Sequence, residues 1–142
     1  MRFVLTSAAL GTLLSLATTD ARAERPLEDK KAAVAVVVGT VQKITPTESK
    51  FGDDGVMTSY AAEIKVDKVD KGNDLKPGDT VTIHWFDVTK RPSKPFPAAY
   101  GHKYAVKAKE TVRVYLVQPA KNNNFTVIYN PAGIEKADKT DK

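Results

Sequence analysis

The chain has 142 residues, 42% hydrophobic and 27% charged, with 8 Gly, 8 Pro, 2 His, no Cys and a formal charge of +5. That is the composition of one compact domain and excludes a multidomain machine. Without cysteine there is no disulfide framework, thiolate zinc site, cysteine nucleophile or lipid-bearing cysteine, and two histidines leave little for imidazole catalysis or metal binding.

Arg2 is the only charge before an uncharged run from Phe3 to Thr19 that carries Val4, Leu5, Leu10, Leu13, Leu14 and Leu16. Asp20 follows, and Ala21-Arg22-Ala23 then puts small residues at the two positions a signal peptidase reads, so cleavage is expected between Ala23 and Glu24. A retained membrane anchor is the competing reading. Ser, Thr and Gly break the apolar stretch below the roughly 20 residues needed to cross a bilayer. Removal of residues 1–23 takes Arg2, Arg22 and Asp20 with it, leaving 119 residues with 20 basic and 16 acidic side chains, a formal +4. Export without cysteine fits a bacterial periplasmic or extracellular protein, in which the Asn124-Phe125-Thr126 glycosylation triplet carries no meaning.

Residues 24–31 are polar, contain Pro26 and read as a flexible leader to a domain at 32–135. From Ala32 to Val41 the chain is dense in valine, with Val34, Val36 and Val38 on one face and Val37 and Val41 on the other, which predicts a strand buried on both faces. Gly39 interrupts it and marks a bulge or coil that lets one long strand serve two parts of a closing sheet. Thr45 to Met57, with Pro46 and Gly52-Asp53-Asp54-Gly55, reads as a loop or open hairpin connection. The next strand runs from about Thr58 to Val69, Tyr60, Ala62, Ile64 and Val66 alternating with Ala61, Glu63, Lys65 and Asp67. After the Lys76-Pro77-Gly78-Asp79 turn, Val81, Ile83 and Trp85 alternate with Thr82, His84 and Phe86.

Asp87 to Gly101 holds three prolines and no period, and is the longest irregular segment. Tyr104-Ala105-Val106 is expected as a short strand. Val112, Val114 and Leu116 alternate with Arg113, Tyr115 and Val117, and Phe125, Val127 and Tyr129 supply the inward set of a partner strand across the Asn122-Asn123-Asn124 turn. Pro131 to Ile134 closes the core, and residues 136–142 form a charged tail.

These short strands with a glycine-broken first member predict an all-β fold, a small five-stranded, partly closed OB-like barrel, because closure protects strand edges. Val38-Gly39-Thr40-Val41, Val69-Asp70-Lys71-Gly72, Leu75-Lys76-Pro77-Gly78-Asp79-Thr80-Val81, Val112-Arg113-Val114-Tyr115-Leu116 and Asn130-Pro131-Ala132-Gly133-Ile134-Glu135 together resemble small secreted bacterial proteins with a netrin or metalloproteinase-inhibitor-like OB domain. The inhibitors of that fold act through an N-terminal cysteine. This chain has none, so the resemblance implies a fold and transfers no site residue.

His84 and His102, with Asp53, Asp54 and Asp87, are the conceivable metal ligands, but the histidines lack the short spacing of a ligand pair, and no metal or cofactor is expected. Asp53-Asp54-Gly55 reads as a turn, since a calcium loop needs further spaced oxygens. Ser49, Ser59 and Ser93 fit no nucleophile elbow. The informative cluster is Trp85, Phe86, Lys90, Arg91, Lys94, Phe96 and Tyr100, with His102, Lys103 and Tyr104 beyond. Aromatic faces beside cations hold a sugar ring, an envelope polyanion or a partner protein's acidic face. The competing reading makes Trp85 core and the loop a solvated segment. Nucleic acid is disfavoured by the export signal and the diffuse charge. The expectation is a monomeric, non-enzymatic binding module acting through residues 85–104. The alternative is a small periplasmic enzyme using His84 or His102.

Overall fold

The period-two segments become strands in the computed structural model, which describes residues 26–72, 74–94, 101–102, 104–120 and 123–138. In chain order they are β1 (Ala35–Phe51), β2 (Gly55–Lys71), β3 (Thr80–Lys90), β4 (Thr111–Ala120), β5 (Asn124–Val127) and β6 (Ile134–Lys136), after a 3-10 turn at Lys30–Ala32. No described residue lies in an α-helix, and no described helix is long and apolar enough to cross a membrane. The signal peptide, its cleavage point at Ala23 and Glu24, and the predicted site residues Phe96 and Tyr100 lie outside the described residues.

The strands run β1-β2-β3-β5-β4 around a ring, and β1 returns to pair with β4. All pairings are antiparallel except β3 with β5. Closure is uneven. The β1–β2 ladder extends from Val36 to Phe51, whereas β3 and β5 join only over Thr82–His84 and Asn124–Thr126. The result is the partly closed, five-stranded OB-like barrel read from the sequence, with β6 laid along Val112–Val114 of β4.

The core is the inward set of each strand: Val37 and Val41, Ala62, Ile64 and Val66, Val81, Ile83 and Trp85, Val112, Val114 and Leu116, and Phe125 and Val127. Ile134 completes it from β6. Ala33, Val36 and Ile128 form a second cluster on the outer side of β1, so that strand is buried on both faces. Val34 falls outside this cluster and is 50% exposed, against the expectation that it shares the buried face.

Gly39 sits where the β1–β2 register slips, Val38 facing Lys68 and Gly39 facing Val66. A Cβ at this position would lie 2.5 Å from both the Ile64 Cγ2 and the Lys65 carbonyl oxygen. The bulge brings two backbones closer than any side chain allows, which lets β1 bend from β4 toward the free end of β2.

Three local expectations are corrected. Thr45 to Met57 is mostly ladder, with β1 and β2 paired up to Phe51 and Gly55 around a turn at 52–54. Pro46 is tolerated there because β1 pairs with β4 only up to Thr40, and beyond that one of its edges needs no N–H. Tyr104 to Val106 is not a strand; Tyr104 and Val106 pack on the core as an irregular cover. The segment read as a flexible leader is held from Glu28 onward, whose N–H donates to the Tyr129 carbonyl at 2.9 Å while its carboxylate accepts from the Tyr129 N–H at 2.9 Å. Polar composition concealed these backbone partners.

Candidate functional site

On β2 and β3, Tyr60 and Trp85 are directly opposite cross-strand residues. Their rings stack with centroids 5.0 Å apart and planes 12° from parallel, the arrangement that facing aromatics adopt on a pleated surface. Trp85 is 6% exposed and belongs to the core, yet it also lines a cleft of about 130 Å³ with Tyr60, Asp87, His102, Tyr104, Ala105 and Val106. Of the two readings set against each other in the sequence, Trp85 is core, with the remainder of its surface at the cleft.

Asp87 enters the cleft because β3 runs four residues past Phe86, where the alternation read from the sequence stops and an irregular segment was expected, ending at Lys90 with Asp87 opposite Thr58. It is half-buried, and among the described residues no side chain pairs with its carboxylate. Gly101 crosses directly over it, with φ of 65° and space for no Cβ, since one would lie 2.7 Å from the Asp87 Cα. Glycine alone accepts that backbone angle without strain at so close an approach.

His102 closes a seam. The parallel β3–β5 pairing ends at His84 and Thr126, and two residues further on Phe86 and Ile128 are no longer paired with each other. The His102 N–H donates to the Phe86 carbonyl at 3.0 Å. Its ring then spans the gap, Nδ1 lying 3.1 Å from the Phe86 carbonyl oxygen and Nε2 3.0 Å from that of Ile128. The imidazole is 4% exposed and meets Phe86 edge-on at 6.1 Å. Phe86 itself stacks on Tyr129 at 5.8 Å. His102→Leu keeps the bulk and leaves each carbonyl a backbone donor, the residue 102 N–H for Phe86 and the Asn130 N–H for Ile128, so a loss of about 0.5–1.5 kcal/mol is expected, read as a lower denaturant midpoint with an unchanged slope.

The cover over the cleft is fixed from the far side. Tyr104 donates its hydroxyl to Glu110 Oε1 at 2.6 Å, and Glu110 Oε2 accepts from the Lys107 N–H at 3.2 Å. Burial first, and then the Glu110 hydrogen bond and charge, push the Tyr104 phenol up to about 12, so it remains a neutral donor across the physiological range. Val41 and Glu110 complete the anchor, the Val41 N–H donating to the Glu110 carbonyl at 2.9 Å.

After β3 the chain meets the β1–β2 hairpin turn. Lys94 pairs with Asp53 at 2.6 Å, and the Ser93 N–H reaches Asp54 at 2.7 Å while its hydroxyl also bonds Asp54. Those bonds, with Lys90 nearby, hold the Asp54 carboxyl below its ordinary value. The 52–54 turn, read as a plain connection, is thus the acidic counterpart of the loop. Both members of the Lys94–Asp53 pair are well exposed, so it contributes little to stability but compensates charge locally.

Of the predicted residues, the structure brings Trp85 to the cleft, leaves Phe86 on the opposite face of β3, and sends Lys94 to the hairpin turn. Tyr60, Asp87 and Tyr104 complete the cleft; Tyr104 stood beyond the predicted cluster and Asp87 was weighed only as a metal ligand, whereas the cross-strand position of Tyr60 needs the register, which no local pattern carries. His84 is exposed on β3 opposite Ala61 and away from the cleft lining. Among the described residues no three His, Cys, Asp or Glu side chains gather as metal ligands would. Compared with known proteins, the chain matches no family model, no curated sequence and no solved structure.

Proposed function

We propose that the protein is an exported, monomeric, non-enzymatic binding module that engages a macromolecular partner of the cell envelope through residues 85–104. The observation that carries this reading is the cleft at one end of the barrel, built by β2, β3 and the 101–106 cover, with a half-buried carboxylate at Asp87 that no described side chain neutralises. OB-like barrels bind along a sheet face and the loops that border it, and β2, β3 and the 101–106 cover supply the lining of this cleft. Export rests on the signal-peptide pattern of residues 1–23.

The enzymatic alternative has less support. A general base must reach a substrate proton with a free nitrogen, and both His102 nitrogens face backbone carbonyls. His84 is outside the cleft, and no serine lines it.

The test is capture from envelope extract on the immobilised protein. Tyr104→Leu should reduce the recovered partner several-fold while the protein stays folded, with a melting temperature lowered by only a few degrees for the lost Glu110 hydrogen bond. A triple Lys90→Glu, Arg91→Glu, Lys94→Glu variant should matter mainly at low salt, where screened surface charges act at longer range. Equal recovery with wild type and both variants at every salt concentration would remove the 85–104 region from the reading.

A further inference from the structure

Building on the binding-module reading, we propose that the cleft is a site for a small alkylated ammonium cation, held by the rings of Tyr60, Trp85 and Tyr104 and the carboxylate of Asp87. Three aromatic side chains and one carboxylate line a space of about 130 Å³. A space of that volume takes a small ammonium group beside the aromatic residues that line it, and cation–π attraction acts within about 6 Å of a ring centroid. Aromatic rings attract such a charge through their negative faces, and a quaternary ammonium is the cation best suited to them because it is weakly hydrated and has no N–H to satisfy.

Charge decides between ligand classes. An anion would meet the Asp87 carboxylate, and of the described lysines that follow Trp85, Lys94 is paired with Asp53 at the hairpin turn. A neutral ligand would cover a half-buried carboxylate without supplying a counter-charge, which is unfavourable. The polar atoms of the other lining groups are largely committed: the His102 nitrogens face carbonyls and the Tyr104 hydroxyl donates to Glu110. A sugar, which requires several donors and acceptors around its ring, finds few here. A cation requires only Asp87 and the rings.

Trp85 is the only tryptophan in the chain, so its emission reports directly on the cleft. The experiment titrates the purified protein with tetramethylammonium and choline at pH 8, where an ordinary histidine is uncharged, with sodium chloride matched for ionic strength. 3,3-Dimethylbutan-1-ol, which has the shape of choline and carbon in place of the charged nitrogen, is the neutral comparison. Saturable changes in Trp85 emission in the millimolar range or below are expected for both cations, with the neutral isostere at least about tenfold weaker. Asp87→Asn should weaken choline by about fivefold or more with the melting temperature nearly unchanged, and Tyr104→Leu likewise in a protein that remains folded by circular dichroism at the titration temperature.

An equal response to the isostere, or to sodium chloride, or to choline in wild type and both variants, would overturn the ammonium site. A free amine and a lipid headgroup share this chemistry. Co-sedimentation with phosphatidylcholine vesicles, competed by free choline and absent with phosphatidylglycerol, would assign the lipid source; choline binding without co-sedimentation would assign the free solute. If choline gave no response while Tyr104→Leu still lost its envelope partner, the ligand class would fall and the binding module would stand. If choline bound and partner recovery were unchanged by either substitution, the reverse would hold.

Discussion

Ile64→Asp and Val114→Asp should each unfold the protein or bring it to the edge of unfolding at room temperature, while Lys65→Asp should leave its melting temperature within a few degrees. Ile64 and Val114 are completely buried on β2 and β4, the two strands that flank β1, among valine, isoleucine and leucine side chains that offer a carboxylate no donor. The fold would have to neutralise the new acid or admit water to it, and either costs several kcal/mol against a total stability of about 5–15 kcal/mol. Lys65 is adjacent to Ile64 in sequence but exposed on the other side of the same strand. Circular dichroism melts of the three variants check this, and three similar curves would mean that the strand faces are wrongly assigned.

Trp85→Ala is expected to cost about 3–5 kcal/mol, the range for removing a large aromatic from a packed interior. The loss combines a cavity beside Ile83 and Ala62 in the main core with the end of the Tyr60 stack. Trp85→Phe should cost less because a ring remains opposite Tyr60. Urea unfolding followed by far-ultraviolet circular dichroism separates these effects from the loss of fluorescence. A Trp85→Ala protein as stable as wild type would show that the ring is a surface platform with no part in the core. Binding by Trp85→Phe at near-normal stability then measures the contribution of the indole itself.

The barrel was legible because its inward positions obey a period of two. Tyr60 to Val66 and Val81 to Trp85 announce their faces without knowledge of their neighbours, and Gly39 announces a break. The extent of β1 was hidden by Pro46, since a proline is a stop signal in sequence but is harmless on an unpaired edge. The cleft was half legible. Trp85 stood out as an aromatic next to a cationic loop, whereas Tyr60 and Asp87 acquire their roles from register, a long-range property. His102 was weighed as a ligand or base because its chemistry permits both. Its actual task, spanning two carbonyls where a parallel pair diverges, depends on a gap between β3 and β5 that no neighbouring residue foretells. The charges of Lys90 and Lys94 read as available until the hairpin turn brought Asp53 and Asp54 to them.

Because β1 bonds β2 along one edge and β4 along the other, its first residues have partners separated widely in time as the chain emerges. The β1–β2 hairpin closes locally, within microseconds to tens of microseconds once both arms are present. The second edge has to wait for Thr111 to Leu116, which pair with Thr40 back to Ala35. Loop-closure entropy makes such non-local joining slow, on the order of milliseconds to seconds for β-barrels of this kind. A protein whose decisive contact depends on its last third stays threadable until nearly all of it has been delivered. That delay suits the proposed export, since a narrow translocation channel admits an open chain and the ring then shuts on the far side.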